Sequence, residues 1–294
     1  MKKLIKFIYR ATPFKKQFFA ILKWFWKPPH SVYKHLTFNG VFETSISKET
    51  SFKMHHFGYE LENMLFWEGL YGTWEKESLK IWATLSKDSN MILDIGANTG
   101  VYALISSAIN PKCNIHAFEP VERVFKRLNY NLEINKSPNI TTHKIGVSNN
   151  DGEATIYDSF EDHTYSVTIN KNLWSQERKV KEVKIPIKKL STFIEENKLK
   201  KIDLLKIDVE THEHEVLLGM GEHLKTMQPT LLIEILNDKV ASKIEALIKD
   251  IEYLYFNVDE QNAPFQVKHL TKSRFHNFLI CKKAVAKKLG LVKS

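Results

Sequence analysis

The residues with the most chemical content lie in the stretch Leu93-Asp94-Ile95-Gly96-Ala97-Asn98-Thr99-Gly100. A short apolar run precedes it and a helical pattern follows, the context of a nucleotide-binding loop. Gly96 has no Cβ, so a ligand can approach the backbone there. Gly100 lets the following helix pack close to the strand. Asp94, near the strand end, can order the loop amides and meet a cation. A dinucleotide loop would read G-x-G-x-x-G, with amides converging on a pyrophosphate. Gly96-Ala97-Asn98-Thr99-Gly100 is one glycine short and carries Asp94 beside it, which suits an adenosyl sulfonium, S-adenosylmethionine, better than NAD. Glu119, in Phe118-Glu119-Pro120, follows Asp94 by 25 positions, close to the offset at which an acid meets ribose hydroxyls. Its carboxylate can accept from both the 2′- and 3′-hydroxyls.

A second acidic cluster occupies Lys206-Ile-Asp208-Val-Glu210-Thr-His212-Glu-His-Glu215. Period-2 alternation puts Lys206, Asp208 and Glu210 on one face of a strand. Three ionisable groups there are costly unless paired or functional. Ligands in open α/β sheets bind outside the carboxyl ends of the strands, so Asp208 and Glu210 are placed to face an acceptor. A hydroxyl acceptor needs a general base within hydrogen-bond reach. Asp208, Glu210 and His212 are candidates, with Lys206 holding a carboxylate or stabilising an alkoxide. The alternative is a buried Lys206–Asp208 pair that only orders the strand end. The run His212-Glu213-His214-Glu215 does not fit a zinc site, because zincins place histidines at i and i+4 and these are two apart; a divalent ion held by Asp208 and Glu210 is an open alternative. No metal is expected, and His214 and Glu215 read as solvated helix residues.

The elements that must position these groups follow from periodicity. Runs 91–95, 114–118 and 140–147 read as strands, and 101–109 and 121–135 as helices. Alternation resumes with helix 190–197, strand 202–209, helix 212–224, strand 230–236 and helix 239–249, ending in strands 253–258 and 275–282. This spacing indicates βαβ units and a parallel sheet. Residues 148–190 break the rhythm with strand-like pieces 154–157, 165–169 and 180–187, a β insertion over one end of the sheet. Upstream, 32–38 and 40–44 look strand-like, and 61–85 looks helical with interruptions at Gly69 and Gly72.

Taken together, 91–100, His116-Ala-Phe-Glu-Pro120, 202–210 and the upstream Leu65-Phe-Trp-Glu-Gly-Leu-Tyr-Gly-Thr-Trp-Glu75 resemble the FkbM family of class I methyltransferases across about residues 60–283. The resemblance implies a Rossmann-like seven-stranded, mostly parallel sheet with a reversed last strand and helices on both faces. It also implies methyl transfer from S-adenosylmethionine, often to an oxygen of a sugar or polyketide-like acceptor. Gly96, Ala97, Asn98, Gly100, Asp94, Glu119 and Pro120 become expected cofactor-binding positions, and by resemblance Glu75 meets the methionine amine. Family members usually carry glycine where this chain has Thr211.

The chain of 294 residues has a formal net charge of +9, which points to anionic partners or to simple solubility. The excess is uneven: residues 1–30 hold eight lysines and arginines, no acid, and many aromatics. No apolar run there is long enough to span a bilayer or serve as a signal peptide. A helix resting on an anionic membrane surface through residues 1–27 is one reading; packing on the protein's own domain is the other. The expected layout is an N-terminal extension (1–60), a methyltransferase domain (61–283, with the β insertion at 148–190) and a basic tail (284–294) that frays. Cys113 and Cys281 form no framework and read as buried thiols in a reducing, cytoplasmic setting. The expected activity is O-methylation of a sugar, glycan or lipid-linked acceptor, on a protein peripheral to the inner face of the membrane. An RNA methyltransferase is the competing enzyme reading, but no nucleic-acid-binding motif accompanies the charge; a non-catalytic membrane scaffold is the third.

Overall fold

The computed structural model describes residues 14–72, 75–159, 167–168 and 180–293. The first half of the basic N-terminus, Trp74, and Tyr165 and Ile169 of the insertion lie outside the described residues.

The chain enters as helix α1 (Lys15–Phe25) and the one-turn helix α2 (His30–Tyr33), then hairpin β1 (Gly40–Ser45) and β2 (Ser51–His56). Helices α3 (Glu60–Glu68) and α4 (Lys76–Ser86) follow. The alternating part runs β3 (Met91–Ile95), α5 (Val101–Ile109), β4 (Asn114–Phe118), α6 (Glu122–Asn135) and β5 (Ile140–His143). The insertion holds β6 (Gly146–Ser148), β7 (Gly152–Ser159), β8 (Val167–Thr168) and β9 (Val180–Lys189). Then come α7 (Leu190–Glu196), β10 (Leu204–Ile207), α8 (Glu213–Met220), α9 (Glu222–Met227), β11 (Thr230–Glu234) and α10 (Asp238–Ile248). The last elements are β12 (Tyr253–Asn257), β13 (Phe265–Val267), β14 (Asn277–Lys282) and α11 (Lys283–Lys288).

The main sheet has the order β13-β12-β14-β11-β10-β3-β4-β5. Strands β5, β4, β3, β10 and β11 are mutually parallel, and β14 runs against both β11 and β12. The reversed last strand is therefore present, and among the described residues the sheet has eight strands rather than the expected seven. The extra one, β13, is a three-residue edge strand on β12 with Phe265 exposed; so short a segment shows no period. The chain leaves β3 toward β4 and β5, then returns to the other side of β3 at β10. That reversal opens the crevice where ligands bind in such sheets.

Each strand feeds two cores. Ile92, Leu204 and Leu232 face one side, with Trp82 and Leu104. Leu93, Leu205, Leu231 and Ile233 face the other, with Phe193, Val216 and Ile244. Phe19, Tyr33, Phe38, Phe42 and Met54 belong to the first of these cores, so the described part of the N-terminal segment packs against the sheet's helical layer.

Several local expectations change. Residues 32–38 do not form a strand; α2 follows Pro29, and Tyr33 is buried in a stack with Trp67, so packing overrides the β-branched and aromatic propensity. The run 140–147 splits, β5 joining the main sheet and β6 pairing in parallel with β9 in a second sheet of order β6-β9-β7-β8. Helix 212–224 breaks at Gly221. The tail from Lys283 continues as α11, with Ala286 buried and Leu289, Leu291 and Val292 against the first core. Cys113 and Cys281 are buried free thiols.

Candidate active site

The loop after β3 is built by backbone hydrogen bonds across the sheet. The N–H groups of Gly96 and Ala97 both donate to the Phe118 carbonyl, at 3.0 and 2.9 Å. Gly96 has φ +81° and Asn98 φ +52°, so the chain turns sharply before α5. A Cβ built on Gly100 would stand 2.6 Å from Leu128 Cδ1. Gly100 is not part of the cavity wall. The missing side chain of Gly100 is used in the close packing of α5 on α6.

Glu119, at the end of β4, is buried and accepts from Asn98 N–H (3.1 Å) and Val121 N–H (2.9 Å) with different carboxylate oxygens. Burial pushes its carboxyl up to about 7, against the pull of those two bonds. Asp94 is likewise buried, its Oδ2 accepting from Ala103 N–H at 3.1 Å. Burial raises it to about 7, opposed by Lys206.

Lys206 is in register with Asp94 on the neighbouring strand and is 1% exposed. Its ammonium lies 3.1 Å from Asp208 Oδ2 and 5.0 Å from the centre of the Tyr102 ring. Burial works against its charge, but Asp208, Glu75 and Glu234 outweigh it and hold the ammonium charged. Glu75, the residue before α4, accepts from Tyr102 Oη (3.0 Å) and Asn277 Nδ2 (2.9 Å). Burial raises its carboxyl, offset in part by Lys206.

The loop after β10 is held by a residue the sequence reading passed over. Glu213 is fully buried and accepts from Val209 N–H (3.3 Å) and Thr211 N–H (3.0 Å); burial lifts it to about 8. Glu210 and Thr211 take φ +54° and +76°. Thr211 therefore keeps the left-handed turn for which glycine is favoured, at a steric cost. His212 immediately precedes α8 and shares a 2.9 Å hydrogen bond with Ser148 Oγ on β6, tying the insertion to this loop. Burial lowers its imidazole pKa. His214 and Glu215 are half-buried and paired at 3.3 Å rather than solvated.

These groups meet in one cavity of about 330 Å³, within the range of small-molecule sites. Its wall includes Glu75, Asp94, Gly96, Ala97, Asn98, Glu119, Pro120, Lys206, Asp208, Glu210 and His212. Every expected site residue except Gly100 is present. Ile145, Val147, Ile156 and Ile185 add an apolar side from the second sheet and its approach. Among the wall residues that the sequence did not single out, Tyr102 and Glu234 carry polar groups. Glu234 ends β11, and burial together with Asp208 pushes its carboxyl far up. Its sequence signal was an acid closing the otherwise apolar strand Thr-Leu-Leu-Ile-Glu234. Among the described residues no group of three or more histidine, cysteine or acidic side chains is arranged to hold a metal ion.

The strand order, the reversed β14 and a cavity at the β3/β10 crevice define a class I, Rossmann-like methyltransferase fold. The sequence profile of the Methyltransferase FkbM domain matches residues 94–258, more than half of the chain, and the chain belongs to that family. It is 29% identical over 168 residues to Methyltransferase 1 of Beauveria bassiana (strain ARSEF 2860), covering 52% of this chain and 67% of that protein. It is 28% identical over 209 residues to Methyltransferase sdnD of Sordaria araneosa, covering 62% and 81%. It is 27% identical over 164 residues to the hexuronic acid methyltransferase AglP of Haloferax volcanii, covering 55% and 62%.

S-adenosylmethionine is the methyl donor of this enzyme, and the wall fits it. Among the described residues six carboxyl groups face the cavity, from Glu75, Asp94, Glu119, Asp208, Glu210 and Glu234, against the one ammonium of Lys206. Such a wall repels a pyrophosphate and favours a cation such as a sulfonium with its α-ammonium. Glu119 uses one lone pair of each oxygen on the backbone, leaving acceptor capacity for vicinal hydroxyls. Asn98 Oδ1 and Thr99 Oγ1 are buried in the loop without a protein partner.

Proposed function

We propose that the protein methylates a hydroxyl oxygen of a sugar, on a free, glycan or lipid-linked acceptor. The observation that carries this reading is the convergence of the Gly96 loop, Glu119 and the Lys206–Asp208 pair on one cavity wall. The hexuronic acid methyltransferase among the relatives adds support for a sugar acceptor.

S-adenosylmethionine supplies an electrophilic methyl carbon on sulfonium. Glu119 would hold the ribose hydroxyls, the Gly96–Asn98 backbone would line the adenosyl side, and Glu75 and Asp94 would meet the cationic methionine end. Asp208 is half-exposed at the cavity while its partner Lys206 is buried. Its free oxygen would take the proton of the acceptor hydroxyl. Lys206 fixes the Asp208 carboxylate and stabilises the oxygen while it carries negative charge. Glu210 and His212 flank the acceptor side. Base assistance of this kind contributes roughly 10²–10⁴-fold, and alignment of the two reactants supplies much of the remainder.

The test is methyl transfer by the purified full chain from labelled S-adenosylmethionine to hexuronic acids, neutral hexoses and lipid-linked glycans. Label in a base-stable sugar ether is the expected result. Cofactor binding with incorporation only into RNA, or with no transfer that Asp208→Asn abolishes, would refute the reading.

A further inference from the structure

We infer that helix α1 seats the protein on an anionic lipid surface. One side of α1 is used internally. Phe19 is buried with its ring 5.5 Å from that of Trp67, Ala20 and Leu22 pack on the same core, and the Lys23 ammonium donates to the Phe66 carbonyl. The other side is apolar too, yet faces solvent. Phe14, Phe18, Ile21 and Phe25 are 74%, 62%, 63% and 82% exposed. At about 100° per residue Phe18, Ile21 and Phe25 fall within an arc of roughly 60°, with Trp24 (87% exposed) and the N-cap residue Phe14 beside them. A helix that already has its core face has no folding reason for a second apolar stripe, and contiguous exposed apolar surface marks an interaction site.

Charge selects the occupant. Residues 1–30 carry Lys2, Lys3, Lys6, Arg10, Lys15, Lys16, Lys23 and Lys27 and no acid. A second copy of this chain would bring the same cations against them. A bilayer rich in acidic lipids offers both an apolar layer for the stripe and opposite charge for the lysines. Trp24 and Trp26, both exposed, suit the headgroup level. Among the described residues no helix is long and apolar enough to cross a membrane, so the contact is a surface one.

The helix is also well placed for the active site. It packs on Phe66 and Trp67 of α3, and Leu61 and Leu65 of the same α3 line the cavity. Docking through α1 thus leaves one helix between lipid and cavity. Delivery of a lipid-linked acceptor rests on the methyl-transfer reading above; the docking itself rests on α1 alone.

The test is flotation of the full chain with vesicles of equal phosphatidylglycerol and phosphatidylcholine, against phosphatidylcholine alone. Binding to the acidic vesicles, a blue shift of tryptophan emission, and release at about 0.5 M salt are expected. Serine at Phe18, Ile21 and Phe25 together should weaken binding at least tenfold. Lys27→Glu should weaken it by a further severalfold, each surface cation being worth roughly fivefold. Calorimetric binding of S-adenosylmethionine, unchanged in both variants, shows that they fold. Equal binding to both vesicle types, or full binding by the triple-serine variant, overturns the proposal. So does concentration-dependent self-association of wild type, lost in that variant, without vesicle binding. Vesicle binding by a chain that transfers no methyl group would retain the docking and remove the acceptor-delivery role.

Discussion

The α-carbon of Gly96 lies directly against the carbonyl of Asp208: a Cβ built at position 96 would overlap that oxygen. The Asp208 N–H in turn donates to Ile95 O at 3.0 Å. The cofactor loop and the acidic loop are thus pressed together at the β3/β10 crevice, so that adenosyl-side and acceptor-side groups share one wall. Gly96→Ala must push these loops apart, and φ +81° adds strain of its own. At least a tenfold weaker calorimetric Kd for S-adenosylmethionine is expected, with a lower melting temperature. Unchanged affinity would show that the close approach is dispensable.

Glu119→Gln keeps the shape of the side chain but removes its charge. Hydrogen bonds to a charged group contribute about 1.5–3 kcal/mol, so affinity should fall roughly 10- to 100-fold with circular dichroism unchanged. Wild-type affinity should strengthen as pH rises through about 7, where burial places the Glu119 titration. The Gln variant should lose the Glu119 part of that dependence and keep what Asp94 contributes, in isothermal titrations between pH 6 and 8.

The ligand-free protein should become less stable above neutrality. Asp94 and Glu119 titrate near 7 and Glu213 near 8 in the fold, against about 4 when unfolded. A raised acid contributes stability that is complete below its unfolded pKa and lost as pH climbs through its folded one. Above about pH 7.5 the histidines with lowered pKa are nearly all neutral in both states, so their opposite contribution is small there. From pH 7 to 8.5 these three acids should lower the unfolding free energy in urea by about 2 kcal/mol, with Glu234 lowering it further. Glu213→Gln should flatten much of that slope; a rise in stability over this range would contradict the assignment.

Lys206→Met removes the ammonium that Asp208, Glu75 and Glu234 hold charged. Breaking a buried pair costs about 3–5 kcal/mol because uncompensated charge remains. The loss should be larger at pH 8 than at pH 6, where the remaining acids take up protons. Denaturation at the two pH values, with methyl transfer measured alongside, checks both the sign and the loss of activity.

Thr211→Gly should stabilise the protein by about 1 kcal/mol, since a β-branched residue at φ +76° is relieved by removing its Cβ. An unchanged or lower denaturation midpoint would show that Thr211 makes compensating contacts.

Strand β3, the Gly96 turn, Glu119 at the end of β4 and the shared face of Lys206 and Asp208 were all readable from spacing. Each depends on a period of two or on turn chemistry within a few residues. The same local rules misread 32–38, where burial of Tyr33 against Trp67 outweighed propensity, and 140–147, where one apolar run serves two sheets. The roles of Glu75 and Glu234 were beyond such reasoning. Glu75 acquires its environment from Asn277, 202 positions away, and Glu234 from Asp208 and Lys206 on a neighbouring strand. The amino-acid order alone determined which chemistry is available and which strand ends carry it. Tertiary packing decided which acids share a lysine, how far burial lifts them, and that α1 keeps an apolar stripe in solvent, because charge coupling and desolvation depend on distances in space.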